Sequence, residues 1–239
     1  MKVKGTKAFI FGLAVFLFCG FLPTSSFAQD VDVYGEAAWT DSDVAVYIYA
    51  DINGSAPGPI CSFGVKLTHS PDLTPDTANT GTDKTTWSLG SHDYTDVYDE
   101  GDAVVLIGGK LDPSDPTAGV SGERILLGKV TFTHSGATMP PSPPLALALG
   151  KSGLYSNFVC TDVDSTVLDV GGVNFGAIAI NERGDANADG NVTPADMLAV
   201  RNTYYAGAAL GNETAADCNG DGSVTPADMI CIRNKYYNP

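Results

Sequence analysis

Asp185, Asn187 and Asp189 stand two residues apart, Gly190 follows, and Asp196 occupies the twelfth position counted from Asp185. Asp217, Asn219, Asp221, Gly222 and Asp228 repeat that spacing 32 residues later. A loop curling round an ion turns every second side chain inward, so alternate oxygen-bearing residues form the donor set of a hard cation. Calcium takes six to eight such oxygens from carboxylates, amides, main-chain carbonyls and water. The carbonyls of Asn191 and Ser223 fall at the seventh positions, and Thr193 and Thr225 are placed to act through a water. The expected ligands of two calcium ions are therefore Asp185, Asn187, Asp189, Asn191 and Asp196, then Asp217, Asn219, Asp221, Ser223 and Asp228. Each loop closes on Asp where the EF-hand consensus has Glu. That side chain is one methylene shorter, so the helix behind it must come nearer the ion. A polar turn capping a helix without metal is the plainer reading of a single copy. Two copies with matching acids favour the cation.

The repetition extends beyond the ligands. Asp185–Tyr205 and Asp217–Tyr237 are identical at 14 of 21 aligned positions. Pro194 and Pro226 open a helix in each copy, where a missing N–H costs nothing. Met197, Val200 and Tyr204 recur at helical spacing, as do Met229, Ile232 and Tyr236, and these are the expected inward stripe. Pro194, Leu198, Arg201, Asn202 and Tyr205, matched by Pro226, Ile230, Arg233, Asn234 and Tyr237, form the other face. A module of about 55 residues buries little core, so ion binding and folding are expected to be linked. Ala186 and Ala199 of the first copy become Cys218 and Cys231 in the second. If loop position two lies against helix position fifteen, a Cys218–Cys231 disulfide follows; two buried thiols are the alternative. Whether Cys61 and Cys160 pair stays open.

These repeats resemble a type I dockerin: paired twelve-residue loops, each followed by one helix, with no entering helix before the first. The resemblance covers about 55 residues. It implies calcium-dependent binding to a cohesin-bearing partner, commonly within extracellular polysaccharide-degrading assemblies. It also implies a recognition surface at Pro194, Ala195, Arg201 and Asn202, and at Pro226, Ala227, Arg233 and Asn234. Family members often carry Ser or Thr at the first two positions of each set, and Pro-Ala departs from that. All four positions are identical between the copies. By the family's logic the module could dock in either of two orientations; a recent duplication without functional meaning explains the identity equally.

The elements that must carry this module read as all-β from Val31 to Ile180. Candidate strands are Val44–Ala50, Cys61–Thr68, Thr85–Leu89, Ala103–Gly108, Arg124–Thr133, Leu145–Leu149, Leu154–Cys160, Thr166–Val170 and Val173–Ile180, divided by Gly, Pro, Asp and Ser. About nine short strands point to a two-sheet sandwich of jelly-roll type. The expected fold class is mainly β, a jelly-roll β-sandwich followed by a small all-α calcium module. The strands Val44–Ile52 and Cys61–Leu67 and the stretch Gly119–Phe132 are similar to a cohesin-type domain, and carbohydrate-binding modules share the plan.

The chain opens with Lys2, Lys4 and Lys7, an apolar run from Ala8 to Leu22, and Ser26-Phe27-Ala28, the pattern of a removable secretory signal. The expected divisions are residues 1–28 as signal, 29–180 as sandwich, 181–184 as a short connector and 185–239 as the calcium module. Export agrees with an even number of cysteines after residue 28. The formal net charge is −15, and the signal holds three of the 13 basic residues and no acidic one. Such a surface argues against nucleic acid and anionic membranes as partners.

Three function classes remain. The leading one is a secreted, non-catalytic interaction protein that tethers its sandwich to a cohesin-bearing partner; self-association, sandwich to dockerin, is a variant of it. The second is a polysaccharide-binding module delivered by a dockerin, with Trp39, Trp87, Tyr94 and Tyr98 as stacking candidates. The third is an enzyme. Asp96, Asp99, Glu100 and Asp102 cluster, but in a stretch that reads as a solvated loop or an extra cation site. His69, His92 and His134 lack metal-ligand spacing, and no Gly-x-Ser-x-Gly elbow occurs. No catalytic residue is assigned.

Overall fold

The structure, a computed structural model, describes residues 30–52, 59–88, 95–110, 119–134, 145–150, 158–161, 167–169 and 172–238. The proposed signal, Tyr94, His92 and the Ser135–Pro144 loop lie outside the described residues. Among those described, no helix is long and apolar enough to cross a membrane.

Twelve strands are described. In chain order they are β1 (Asp30–Trp39), β2 (Asp43–Ile52), β3 (Ile60–Thr68), β4 (Leu73–Pro75), β5 (Gly81–Thr82), β6 (Asp96–Asp99), β7 (Ala103–Gly109), β8 (Gly122–His134), β9 (Ala146–Leu149), β10 (Val159–Thr161), β11 (Val167–Asp169) and β12 (Gly172–Glu182). One sheet runs β12-β1-β2-β8-β4 with β5 also on β8; the other runs β11-β10-β3-β7-β6 with β9 on β3. β1 pairs parallel to β12 and antiparallel to β2. β-branched and aromatic residues drive these strands together by burying their inner faces. Val46, Ile48, Val130 and Phe132 from the first sheet meet Phe63, Val65, Leu67 and Leu106 from the second in one core. This is the two-sheet sandwich that the patterning predicts.

Three local expectations change. The described part of the expected Thr85–Leu89 strand is not a strand: Lys84–Trp87 is a helical turn, α1, because Asp83 caps it by accepting the Thr85 N–H at 3.1 Å and the Thr86 hydroxyl at 2.6 Å. β6 occupies Asp96–Asp99, a strand in a stretch expected to be a solvated loop or an extra cation site. β12 continues through Asn181 and Glu182, which the sequence reading assigned to a connector, because both still pair with β1. The path from sheet to first loop is therefore shorter than expected.

The C-terminal region holds α2 (Pro194–Ala206), the helical turn α3 (Glu213–Ala216) and α4 (Pro226–Tyr237). α2 and α4 pack on each other around a small core of Ala186, Val200, Ala216, Cys218 and Ile232.

Candidate functional site

The two loops are built alike. Asp185 accepts the N–H groups of Asp189 at 3.0 Å and Gly190 at 2.9 Å, and Asp217 accepts those of Asp221 at 3.1 Å and Gly222 at 2.8 Å. Asn187 Oδ1 takes the Asp189 N–H, and Asn219 Oδ1 takes the Asp221 N–H. Gly190 and Gly222 sit at φ +89° and +88°, a left-handed turn that only glycine adopts without strain.

The twelfth residue ties each loop to its helix. Asp196 accepts the Asn187 N–H at 3.0 Å with one oxygen and the Thr193 N–H at 2.7 Å with the other. Asp228 does the same with Asn219 and Thr225, at 3.0 and 2.7 Å. Thr193 and Thr225 complete capping boxes with these aspartates. This is how the shorter acid serves: it sits at the third helical position, inside the first turn, and draws the helix onto the loop.

Asp185, Asp196 and Asp228 are fully buried and Asp217 is nearly so. Among the described residues no lysine or arginine forms an ion pair with any of the four. Burial pushes the Asp217 carboxyl above the ordinary carboxylate range, against its backbone hydrogen bonds, and nearby Asp228 adds to the rise. Buried carboxylates without a counter-charge are costly, and a divalent ion would relieve that cost. Carboxylates alone do not complete the set. Among the described residues no three His, Cys, Asp or Glu side chains group as a metal cluster, so an ion here would also need amide or main-chain carbonyl oxygens. An all-oxygen set of this kind fits calcium better than softer metals.

A disulfide joins Cys218 to Cys231 with Cα atoms 5.8 Å apart, so loop position two does lie against helix position fifteen. Cys61 is buried on β3, and its strand pairs with β10, which carries Cys160.

The helix faces follow the expected division with one exception. Val200 and Ile232 are fully buried and Met197 and Met229 partly so, but Tyr204 and Tyr236 are 53% and 43% exposed. Each helix has only one packed side, and Thr203 and Lys235 take the next inward position instead. Each displaced tyrosine packs edge-on against its neighbour, Tyr205 or Tyr237, with ring centroids 5.0 Å apart. Pro194, Ala195, Arg201 and Asn202 are exposed, as are Ala227, Arg233 and Asn234, while Pro226 is half-buried. Leu198, Tyr205, Ile230 and Tyr237 make the surrounding surface apolar.

Contacts with the sandwich were not legible in the sequence. Asn212, 1% exposed, caps α3 and donates to the carbonyls of Ala37 on β1 and Ala179 on β12 at 3.2 and 3.4 Å. Arg124 on β8 bridges Glu36 on β1 and Glu213 on α3. Lys235 on α4 pairs with Glu182 at 2.7 Å and donates to the Arg183 carbonyl at 2.7 Å.

The other candidates separate. Trp87 is fully buried, edge-on to Phe63, with its indole N–H on the Leu126 carbonyl. Trp39 and Tyr98 lie on different sheets, so these three do not form a row for stacking sugar rings. Glu100 is paired with Lys66 at 2.8 Å. His69 and His134 face main-chain carbonyls, of Ser70 and Thr40 respectively.

No curated protein matches the chain. Among solved structures, a non-cellulosomal cohesin from the archaeon Archaeoglobus fulgidus aligns at TM-score 0.38 and 19% identity, covering 62% of this chain and 91% of its own. The seventh ScaB type I cohesin from Pseudobacteroides cellulosolvens aligns at TM-score 0.40 and 15% identity, covering 64% and 91%. The third ScaC cohesin of Acetivibrio cellulolyticus, solved with a ScaB dockerin, aligns at TM-score 0.41 and 13% identity, covering 63% and 96%. Residues 183–235, spanning both loops and the turn between them, match the family model of the dockerin type I domain.

Proposed function

We propose that this chain is a secreted, non-catalytic interaction protein whose dockerin module binds two calcium ions and docks onto a cohesin-bearing partner. Asp185, Asn187, Asp189, the Asn191 carbonyl and Asp196 hold one ion; Asp217, Asn219, Asp221, the Ser223 carbonyl and Asp228 hold the other. Bound calcium supplies the positive charge that lets these carboxylates stay ionised and buried. The chain's own loops and capping boxes fix the start of each helix. The partner then meets Pro194, Ala195, Arg201 and Asn202, or Pro226, Ala227, Arg233 and Asn234.

One observation carries this reading. Arg201–Asn202 and Arg233–Asn234 are exposed at equivalent places on two helices whose loops are built alike, within the segment that matches the dockerin family model. Exposed arginines on a partly apolar face suit a specific protein interface. The sandwich, of residues 29–180, is the cargo, exported after removal of residues 1–28 and tethered to an extracellular, polysaccharide-degrading assembly. We assign it a cohesin-like jelly-roll plan on the strand pattern. The burial of Trp87 favours this class over a sugar-stacking surface.

Gel filtration with a purified type I cohesin tests the proposal. Co-elution in millimolar calcium and separate peaks after chelation are expected; separate peaks in both overturn it. Sedimentation of the chain alone with and without chelator tests whether its own sandwich serves as the receiver.

A further inference from the structure

Asn181 and Asn212 lie between the sandwich and both loops. Asn181, on β12, donates from Nδ2 to Asp185 Oδ2 at 2.8 Å. Its Oδ1 accepts from Asn212 Nδ2 at 3.0 Å. The two hydrogens of Asn212 Nδ2 are shared between this bond and the Ala37 and Ala179 carbonyls, one of them three-centred, and its own Oδ1 accepts the Ala215 N–H at 2.9 Å, closing the first turn of α3. The direction of this relay is fixed by chemistry. Two carbonyls are acceptors only, so Asn212 must turn its amide nitrogen to them. Asn181 then presents its oxygen to Asn212 and its nitrogen to Asp185, an acceptor-only carboxylate.

Asn212 also reaches the second loop, through α3. α3 ends on Asp217, whose N–H bonds to the Glu213 carbonyl at 3.1 Å. α3 is held to the sandwich by the Asn212 contacts and by Thr214, whose N–H and hydroxyl both lie 3.4 Å from Glu36 Oε2. The Gly184 N–H, one residue before the first loop, donates to the Ala215 carbonyl of α3 at 2.7 Å. Asp185 is thus held at its carboxylate, and Asp217 at its main chain, by groups that begin in the β-sheet.

We infer that Asn181 is a positioning residue for the first ion site and Asn212 for both, and that calcium binding and the seating of the dockerin module on the sandwich are one coupled equilibrium. The inference rests on the calcium reading proposed above. Residues that orient a metal's ligands through hydrogen bonds change affinity by about ten- to hundredfold when removed. Coupling is reciprocal: whatever seating does for calcium, calcium does for seating.

The experiment is a calorimetric calcium titration of the whole chain and its variants. Asn181→Ala is expected to weaken one of two ions by about tenfold. Asn212→Asp keeps an α3 cap but removes the donor, and is expected to weaken both ions. Asn174→Ala, at an exposed β12 residue whose side chain donates to Asp32, should match wild type. Hydrogen exchange at Gly184 and Ala216 reads the seating: calcium should slow it in wild type and do so less in Asn181→Ala. Far-ultraviolet circular dichroism of the sandwich confirms that each variant is folded. Two ions bound by wild type with unchanged affinities in both variants overturn the inference and leave the calcium reading standing. No calcium bound by wild type overturns both.

Discussion

Arg124 grips Glu36 with both guanidinium nitrogens, Nη1 to Oε1 at 2.5 Å and Nη2 to Oε2 at 3.0 Å. It spans β8 to β1, and the same guanidinium meets Glu213 of α3 at 2.9 Å. Its charged plane also lies 4.2 Å from the Tyr49 ring centroid. One side chain therefore ties the sandwich to the turn between the two loops. A bidentate Arg–carboxylate pair is stronger than an isolated surface pair, though partial exposure screens it. Arg124→Ala should lower the chain's stability by about 1 kcal/mol in a denaturant melt. An unchanged midpoint would show that the bridge contributes nothing to the seating.

Tyr49 beside it gives a pH signature. Burial pushes its hydroxyl from 10.0 up to about 12, Arg124 pulling the other way and Glu36 adding to the rise. The folded chain holds the phenolic proton longer than the unfolded chain does, so the contribution is intact below about pH 10. Stability should fall as pH rises from about 10 to about 12, as the unfolded state ionises first. Absorbance titration at 295 nm should resolve one tyrosine ionising near the top of that window. All tyrosines ionising together near 10 would contradict the burial assigned to Tyr49.

The closing aspartates tie each loop to its helix. Asp196→Ala combined with Asp228→Ala should remove both capping boxes and abolish the calcium-induced gain in helical circular dichroism. A calcium response equal to wild type would refute the ligand assignment.

Much of this site was legible because it is local. The loop glycines, proline at the helix start and the paired Ala186/Ala199 to Cys218/Cys231 change each lie within a 21-residue repeat, and the disulfide joins the pair as that change suggests. What failed depended on distance or on short elements. Tyr204 and Tyr236 fit the apolar period, yet each helix offers one neighbour only, so the period overstates how much is buried. α3 has four residues and no period to read, and its anchors, Glu36 and Arg124, are remote in sequence. Thr85–Leu89 carries strand-forming residues, but Asp83 caps a helical turn there.

The disulfide closes a short loop within the second repeat, Cys218 and Cys231 being 13 apart. Constraint of the unfolded chain by a loop of that size amounts to about 3 kcal/mol in the loop-entropy account. Cys218→Ser with Cys231→Ser should therefore melt the α2–α4 module earlier, and added calcium should recover part of the loss. Equal melting of variant and wild type would show the cross-link to be idle.

The repeated exposed positions predict redundancy in docking. If the proposed module docks in either of two orientations, Arg201→Ala or Arg233→Ala alone should leave cohesin binding nearly intact, while the double variant should lose it. Loss in either single variant would remove the two-orientation idea and leave a one-sided interface.

The most direct measurement is the number of calcium ions bound by the chelator-stripped chain, read by calorimetry while helical circular dichroism is followed. Two ions per chain, taken up together with a gain in helix, is the predicted result. A chain that takes up no calcium, with the helices already formed and unchanged, would contradict the account at its base.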